Sequence, residues 1–214
     1  MSLAAGVDAC RGDWVAIIVE DGRVADSLLE SSFEALLGSL ASAAAIGVDI
    51  PIGLPAEGPR AADLEARRFV GPRRSSVFPA PTRTALTAPT YAEARLLAPS
   101  LSAQSFAIGK KILEVEACLD DRVFEVHPEV SFVALAGRHL SPKRSWNGQM
   151  ERRQLLAGAG LELPERLTAG AAPVDDVLDA AVAAWSAARK ARGEAKTLPE
   201  DPPIEAGRAV AIWY

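Results

Sequence analysis

Gly6-Val7-Asp8-Ala9-Cys10-Arg11-Gly12-Asp13-Trp14-Val15, continued by Ala16-Ile17-Ile18-Val19-Glu20, is the stretch whose reading decides the fold. Gly6-Val7-Asp8 opens a strand. Trp14–Glu20 is a second apolar run in which Val15, Ile17 and Val19 alternate with the period of a strand. Cys10–Asp13 between them is short and turn-like, so the two runs read as a hairpin. Asp21-Gly22 supplies another tight turn, and Val24–Glu30 follows as a third strand. Ser31–Ala43 carries Phe33, Leu36, Leu37 and Leu40 at helical spacing, with Ser32 at the N-cap and Ala35 three positions on. Ala44–Ile50 is then a buried strand ending at Asp49, Pro51 and Gly53. Three antiparallel strands, a helical crossover and a further strand make a mixed sheet, hence an α/β fold.

Outward from this core the pattern changes. Residues 51–99 are rich in Pro, Arg, Ser and Thr, with one short helix expected at Ala61–Val70. So long a segment at a strand end reads as a functional insertion. Beyond it the spacing predicts a helix over Leu101–Leu119, a strand at Arg122–Val126, and short helices at Glu129–Leu135 and Met150–Ala159. Pro164–Pro173 reads as a linker, Val174–Arg192 as a strong helix and Arg208–Trp213 as an edge strand. With 214 residues and no internal repeat, the expectation is a single domain over 1–214.

A formal charge of −5 argues against a protein that coats nucleic acid with a uniformly basic surface, though not against local basic patches. Cys10 and Cys118 are too few for a disulfide scaffold and offer no zinc spacing, which suits a reduced, cytoplasmic setting. No apolar run of about 18 residues and no signal pattern occurs, so no membrane association is expected.

The chemistry-bearing residues are acids at strand ends. Asp8 sits inside the first strand motif, Asp49 at the end of the buried strand after the helix, and Glu125 in the later strand, within Glu125-Val126-His127-Pro128-Glu129-Val130-Ser131-Phe132. Asp175, Asp176 and Asp179 begin the last strong helix. Strand ends that share one edge of an open sheet gather such residues in a crevice. Carboxylates gathered there cannot all ionise without a counter-charge, and Mg²⁺ or Mn²⁺, which take oxygen ligands, would supply it. Each acid also has a plainer reading. Asp8 could serve the following turn, Asp49 could cap the Pro-Gly loop, and Glu125 could pair with an arginine of the middle segment. Acids in a first helical turn are favoured by the helix dipole alone, which covers Asp175 and Asp176 but not Asp179. The apolar stripe Val174, Val177, Leu178, Ala181, Val182 and Trp185 has Asp175 and Asp179 at its border and Asp176 pointing away.

Six motifs in order carry a family resemblance: residues 6–15, Val48-Asp49-Ile50-Pro51-Ile52-Gly53-Leu54-Pro55, Arg73-Arg74-Ser75-Ser76-Val77-Phe78-Pro79, Gln104 to Glu114, Glu125–Phe132, and Asp175-Asp176-Val177-Leu178-Asp179-Ala180. They resemble domain of unknown function 429, whose members are predicted nucleases of the ribonuclease-H-like fold. The resemblance covers nearly the whole chain. It implies a three-layer α/β/α arrangement with a five-stranded mixed sheet whose first three strands are antiparallel. It matches Asp8 to the first-strand aspartate of that superfamily and Asp49 to the acid on the fourth strand. It also likens Asp176-Val177-Leu178-Asp179 to the closing helix of Holliday-junction resolvases, which favours Asp176 over Asp175. The family often has glycine where Asp13 stands.

The expected activity is metal-dependent phosphodiester hydrolysis of nucleic acid or short oligonucleotides, with two metals about 4 Å apart activating water and stabilising the leaving oxygen. Asp8, Asp49 and Asp179 would be the metal ligands, with Glu125 and Asp176 as further catalytic acids. His127 would contact substrate or act as a base, unless it only packs at the strand end. Arg73, Arg74, Ser75 and Ser76 would bind phosphate, and Lys110, Lys111, Lys143 and Arg144 could extend that contact, although paired basic residues are more often plain solvated surface. An actin-like phosphotransferase would need Gly-rich phosphate loops in two domains. A non-catalytic metal- or nucleotide-binding protein on the same fold is the main rival, and the negative charge suits it.

Overall fold

The computed structural model describes residues 3–214. Two turns with positive φ at both central residues, Arg11-Gly12 and Asp21-Gly22, connect β1 (Leu3–Cys10), β2 (Asp13–Glu20) and β3 (Arg23–Glu30). Such turns match the right-handed twist of the strands they join. They set the register in which Asp8 lies opposite Val15, and β1 starts three residues before Gly6 because Leu3-Ala4-Ala5 still has Glu20-Val19-Ile18 to pair with. Helix α1 (Phe33–Ser39) is capped by Ser32, whose side chain accepts the Ala35 N–H at 3.2 Å. It returns the chain to β4 (Ala45–Val48), parallel to β1, and β5 (Val123–Glu125) lies parallel to β4. The sheet order β3-β2-β1-β4-β5, with its first three strands antiparallel, is the five-stranded mixed sheet that the family resemblance implies.

Between β4 and β5 run α2 (Ala61–Phe69), two 3-10 turns (Gly71–Ser76 and Thr84–Thr87), α3 (Tyr91–Leu97), α4 (Ala103–Ala107) and α5 (Gly109–Ala117). After β5 come α6 (Pro128–Ala136), α7 (Trp146–Gly158) and α8 (Val174–Ala191), then the short strands β6 (Thr197–Leu198), β7 (Ile204–Glu205), β8 (Arg208–Ala209) and β9 (Ile212–Trp213). Three expectations are corrected here. Leu101–Leu119 is two helices broken at Ile108, where Gly109 packs so closely on Leu86 that a Cβ would lie 2.7 Å from it. Helix α7 begins four residues earlier than its apolar pattern, because Ser145 caps it by accepting the Gly148 N–H at 3.1 Å. Arg208–Trp213 is two strands, β8 paired with β7 and β9 with β6.

Alternation along β2 divides the core. Trp14, Ala16 and Ile18 face α1 and α5 together with Val7, Phe33, Leu36 and Ile112. Val15, Ile17 and Val19 face α8 together with Phe132 and Leu156. Glu114 on α5 ties the first layer together, since its Oε1 accepts both the Trp14 indole N–H (2.9 Å) and the Phe33 backbone N–H (2.6 Å). On the other face α8 lies almost on the sheet. A Cβ on Gly6 would sit 1.9 Å from the Ala184 nitrogen and 2.1 Å from the Ala180 oxygen, and one on Gly47 3.0 Å from the Ala183 oxygen. Glycine in two strands and an alanine-rich helix face permit this approach, and it brings the start of α8 to the ends of β1 and β4. No helix among the described residues is long and apolar enough to cross a membrane.

Candidate metal centre

The tripeptide Gly-Val-Asp occurs twice, as Gly6-Val7-Asp8 on β1 and as Gly47-Val48-Asp49 at the end of β4. The two copies are in register, with Gly6 beside Gly47 and Val7 beside Val48. Each valine faces the α1 layer, so by period-two alternation each glycine and aspartate faces α8. The ladder continues one residue past β4 through Asp49 N–H to Val7 O at 3.0 Å, which sets the two aspartates side by side. Helix α8 runs from its acidic first turn towards Ala184, so Gly6 meets Ala180 and Ala184 while Asp8 meets the turn before them.

One oxygen from each of Asp8, Asp49 and Asp179 lies within 4.8 Å of the others. Asp8 and Asp179 are buried and Asp49 is partly so. Among the described residues, the hydrogen bonds to these three carboxylates are few: Ala9 N–H to Asp8 (2.7 Å) and the Lys143 ammonium to Asp179 (2.5 Å). Unit charges at such separations repel by about 3–4 kcal/mol per pair at an effective dielectric near 20, so one lysine cannot offset three carboxylates. Their carboxyl pKa values rise accordingly. Burial, then the charges of Asp49, Asp179 and Asp176, raise the Asp8 carboxyl well above its ordinary value. Burial takes Asp49 to about 7 against the pull of Lys143, and takes Asp179 to about 6 in the same way. Burial also disfavours a charged Lys143, but Asp179, Asp49 and Asp8 outweigh it and hold the ammonium above its usual range.

Asp176 stands at the rim of the cluster, where burial and then the charge of Asp175 lift it to about 6. Its charge acts on both Asp8 and Asp49. Asp175 instead lies 3.7 Å from Arg144. This corrects the helical-wheel reading. At the start of α8 the stripe residues Val174, Val177 and Leu178 line a cavity of about 400 Å³ with Met150 and Leu163, and of the two acids at the border of that stripe only Asp179 joins Asp8 and Asp49.

Glu125 is corrected to an ion-pair partner. Both its oxygens are held at 2.7 Å by Arg60, and Oε2 also accepts the Ile52 N–H at 2.7 Å. Arg60, itself buried, binds Asp63 at 2.7 Å, so the middle segment supplies the arginine. Glu129 is likewise engaged, by the fully buried Arg152 at 2.8 Å and by Arg73 at 3.3 Å. The Nδ1 of His127 is buried without a partner, and burial lowers its pKa against the opposing effect of the Ser76 backbone. Arg74 and Ser75 are exposed, and Ser76 donates its hydroxyl to Arg73 O at 2.8 Å. Lys110 is exposed on α5, while Lys111 pairs with Glu114 and lies 4.3 Å over the Trp14 ring, a packing role. Lys143, expected to extend the phosphate contact, pairs instead with Asp179. The repeated Gly-Val-Asp was the available signal for the acids, but none marked Lys143, which meets Asp179 from 36 positions away.

The family model described as "Protein of unknown function (DUF429)" matches residues 6–204, and the chain belongs to that family. Two solved structures of RuvC from Thermus thermophilus are similar to it. One, described as RuvC in complex with Holliday junction substrate, is 13% identical with a TM-score of 0.39, covering 91% of this chain and 98% of that one. The other, described as the RuvC structure, is 14% identical with a TM-score of 0.37, covering 90% and 97%. No curated protein sequence matches the chain.

Proposed function

We propose that this DUF429 chain is a divalent-metal-dependent phosphodiester hydrolase acting on nucleic acid or short oligonucleotides. The observation that carries the reading is the convergence of Asp8, Asp49 and Asp179 within 4.8 Å with a single ammonium for compensation. The donors are all hard carboxylate oxygens, short of hydrogen bonds and of positive charge, which fits Mg²⁺ or Mn²⁺. Asp8, Asp49 and Asp179 would hold the ion. When bound, such an ion supplies Lewis acidity towards a phosphoryl oxygen and lowers the pKa of water.

The chain's own groups supply the rest. Asp176, near 6 and at the open side, takes up or releases a proton close to neutrality. The 3-10 turn Gly71–Ser76 carries exposed Arg74 and Ser75, and Arg73 ties it to Glu129 at the start of α6, just past β5. Phosphate held there by the arginine fork and the hydroxyl is oriented towards the strand ends. A net charge of −5 favours a short or single-stranded substrate over a long duplex, and it also supports a second reading, a metal- or nucleotide-binding protein without catalysis.

Calorimetric titration of Mg²⁺ and Mn²⁺ into wild type and Asp8→Asn, beside a panel of nucleic-acid substrates, tests both. The expected result is binding and cleavage by wild type and neither by Asp8→Asn. Equal binding by both proteins would sink the metal site. Binding without cleavage of any substrate would select the second reading.

A further inference from the structure

Lys143 and its neighbour Arg144 share one loop between α6 and α7, yet their ends differ. Arg144 is 87% exposed, while Lys143 keeps its stem at the solvent edge and sends its ammonium to Asp179, which is 4% exposed. Bonds that do not involve the lysine side chain impose that direction. Ser141 N–H donates to Glu151 at 2.8 Å, and the Ser141 carbonyl accepts from the buried Arg152 guanidinium at 2.9 Å. The same guanidinium binds Gly148 O at 3.1 Å. The Pro142 carbonyl accepts both the backbone N–H (2.9 Å) and the hydroxyl (2.7 Å) of Ser145. It lies so near α7 that a Cβ on Gly148 would stand 2.0 Å from its oxygen. The backbone is therefore clamped on both sides of residue 143 by residues outside the acidic cluster.

We propose that Lys143 is a built-in second cation of the acidic centre, so that the site holds one divalent ion per chain instead of a pair. This rests on the metal-dependent reading above. Three carboxylates, one ammonium and one divalent ion are neutral together. A second divalent ion would leave an excess of positive charge with the lysine in place, or would have to expel an ammonium whose backbone is fixed. Asp176 stays at the water-facing rim, where its charge is screened more than those of the buried acids. Lys143 approaches from the solvent side, which also leaves it positioned to meet a phosphate entering the cluster.

The test is a count of Mn²⁺ bound to the full chain, by calorimetry and by electron paramagnetic resonance. The proteins are wild type, Lys143→Met, Lys143→Arg and Asp8→Asn. The expected counts are one, two, one and none, and Lys143→Gln should match Lys143→Met if the latter fails to fold. In chelator, Lys143→Met should melt below both wild type and Lys143→Arg. Two ions on wild type would overturn the inference, as would a count in Lys143→Met that stays at one or falls to none. No ion on any of the proteins would remove the metal reading itself, which is a different result from one ion on both wild type and Lys143→Met.

Discussion

Two groups of acids lie at neighbouring strand ends and are treated in opposite ways. Glu125, at the end of β5, has both oxygens bonded to Arg60, which also holds Asp63, and it accepts a backbone N–H besides. Asp8 and Asp49, near the ends of β1 and β4, share one lysine with Asp179; burial raises both pKa values, and the charges of Asp49 and Asp179 raise that of Asp8 further. The residue types are nearly the same, and so is the depth. What differs is the partner: a guanidinium fork saturates a carboxylate, whereas crowded carboxylates with one ammonium remain short of positive charge. The first arrangement spends its charges on holding the middle segment to the sheet. The second leaves negative charge available to a ligand.

The largest effect expected from this contrast is on the saturated side. Arg60→Met strands Glu125 and Asp63 in a buried site and should cost about 3–5 kcal/mol of folding stability by urea denaturation. Adding Glu125→Gln should recover part of that loss, and failure to recover any would show that Arg60 acts through packing alone. The mirror experiment is Asp8→Asn, which removes a buried carboxyl whose ionisation the fold disfavours. In chelator it should stabilise the chain by roughly 1–3 kcal/mol, while abolishing any rise in melting temperature on adding Mn²⁺. A destabilised Asp8→Asn would mean that the aspartate serves the fold.

The pH dependence of stability follows from the raised carboxyl pKa values of the acidic centre. Acids whose folded pKa is raised bind protons more tightly when folded, so their contribution to stability is complete below the unfolded value near 3.8 and disappears as pH rises through the folded value. With Asp49 at about 7 and Asp179 at about 6, the metal-free protein should lose stability from pH 5 to pH 7.5. The slope is at most about 1.4 kcal/mol per pH unit for each proton released. Asp49→Asn should flatten the slope, and saturating Mn²⁺ should restore stability most at the high end, where protons no longer compete. A slope unchanged in Asp49→Asn would place the titrating groups elsewhere.

What could be read in advance follows the range of the interactions. The β1–β2–β3 meander and the Ser32 cap rest on neighbours in sequence, and the alternation of Val15, Ile17 and Val19 displayed them. Asp8 and Asp49 are legible because strand ends that share one sheet edge gather acids in a crevice, and Asp179 because it lies beyond the first helical turn, where the dipole no longer explains an acid. Arg60 carries little local signal of its main role, because its partner Glu125 is 65 positions away, although Asp63 three residues on hints at a capping arrangement. Ser145 before α7 was hidden by Trp146-Asn147-Gly148, which interrupts the apolar period, and Trp146 is in fact 75% exposed. Periodicity reports which side of an element is covered. It does not report which distant charge arrives there.

The smallest effect concerns Arg73, which stands between the two regimes. It reaches Glu129 at 3.3 Å through Nε with its side chain 27% exposed, whereas Arg152 holds the other oxygen of Glu129 at 2.8 Å and is 1% exposed. Glu129 keeps its buried partner when Arg73 is removed, so Arg73→Ala should cost no more than about 1 kcal/mol, the range of a partly exposed ion pair. Its effect should appear in binding instead. A short single-stranded oligonucleotide should bind more weakly, with the slope of log affinity against log salt reduced by about 0.7, the value for one lost phosphate contact on a single strand. A large stability loss with an unchanged salt slope would assign Arg73 to the saturated network beside Arg60 and Arg152. The exposed turn at Gly71–Ser76 would then keep only Arg74 as a guanidinium for phosphate.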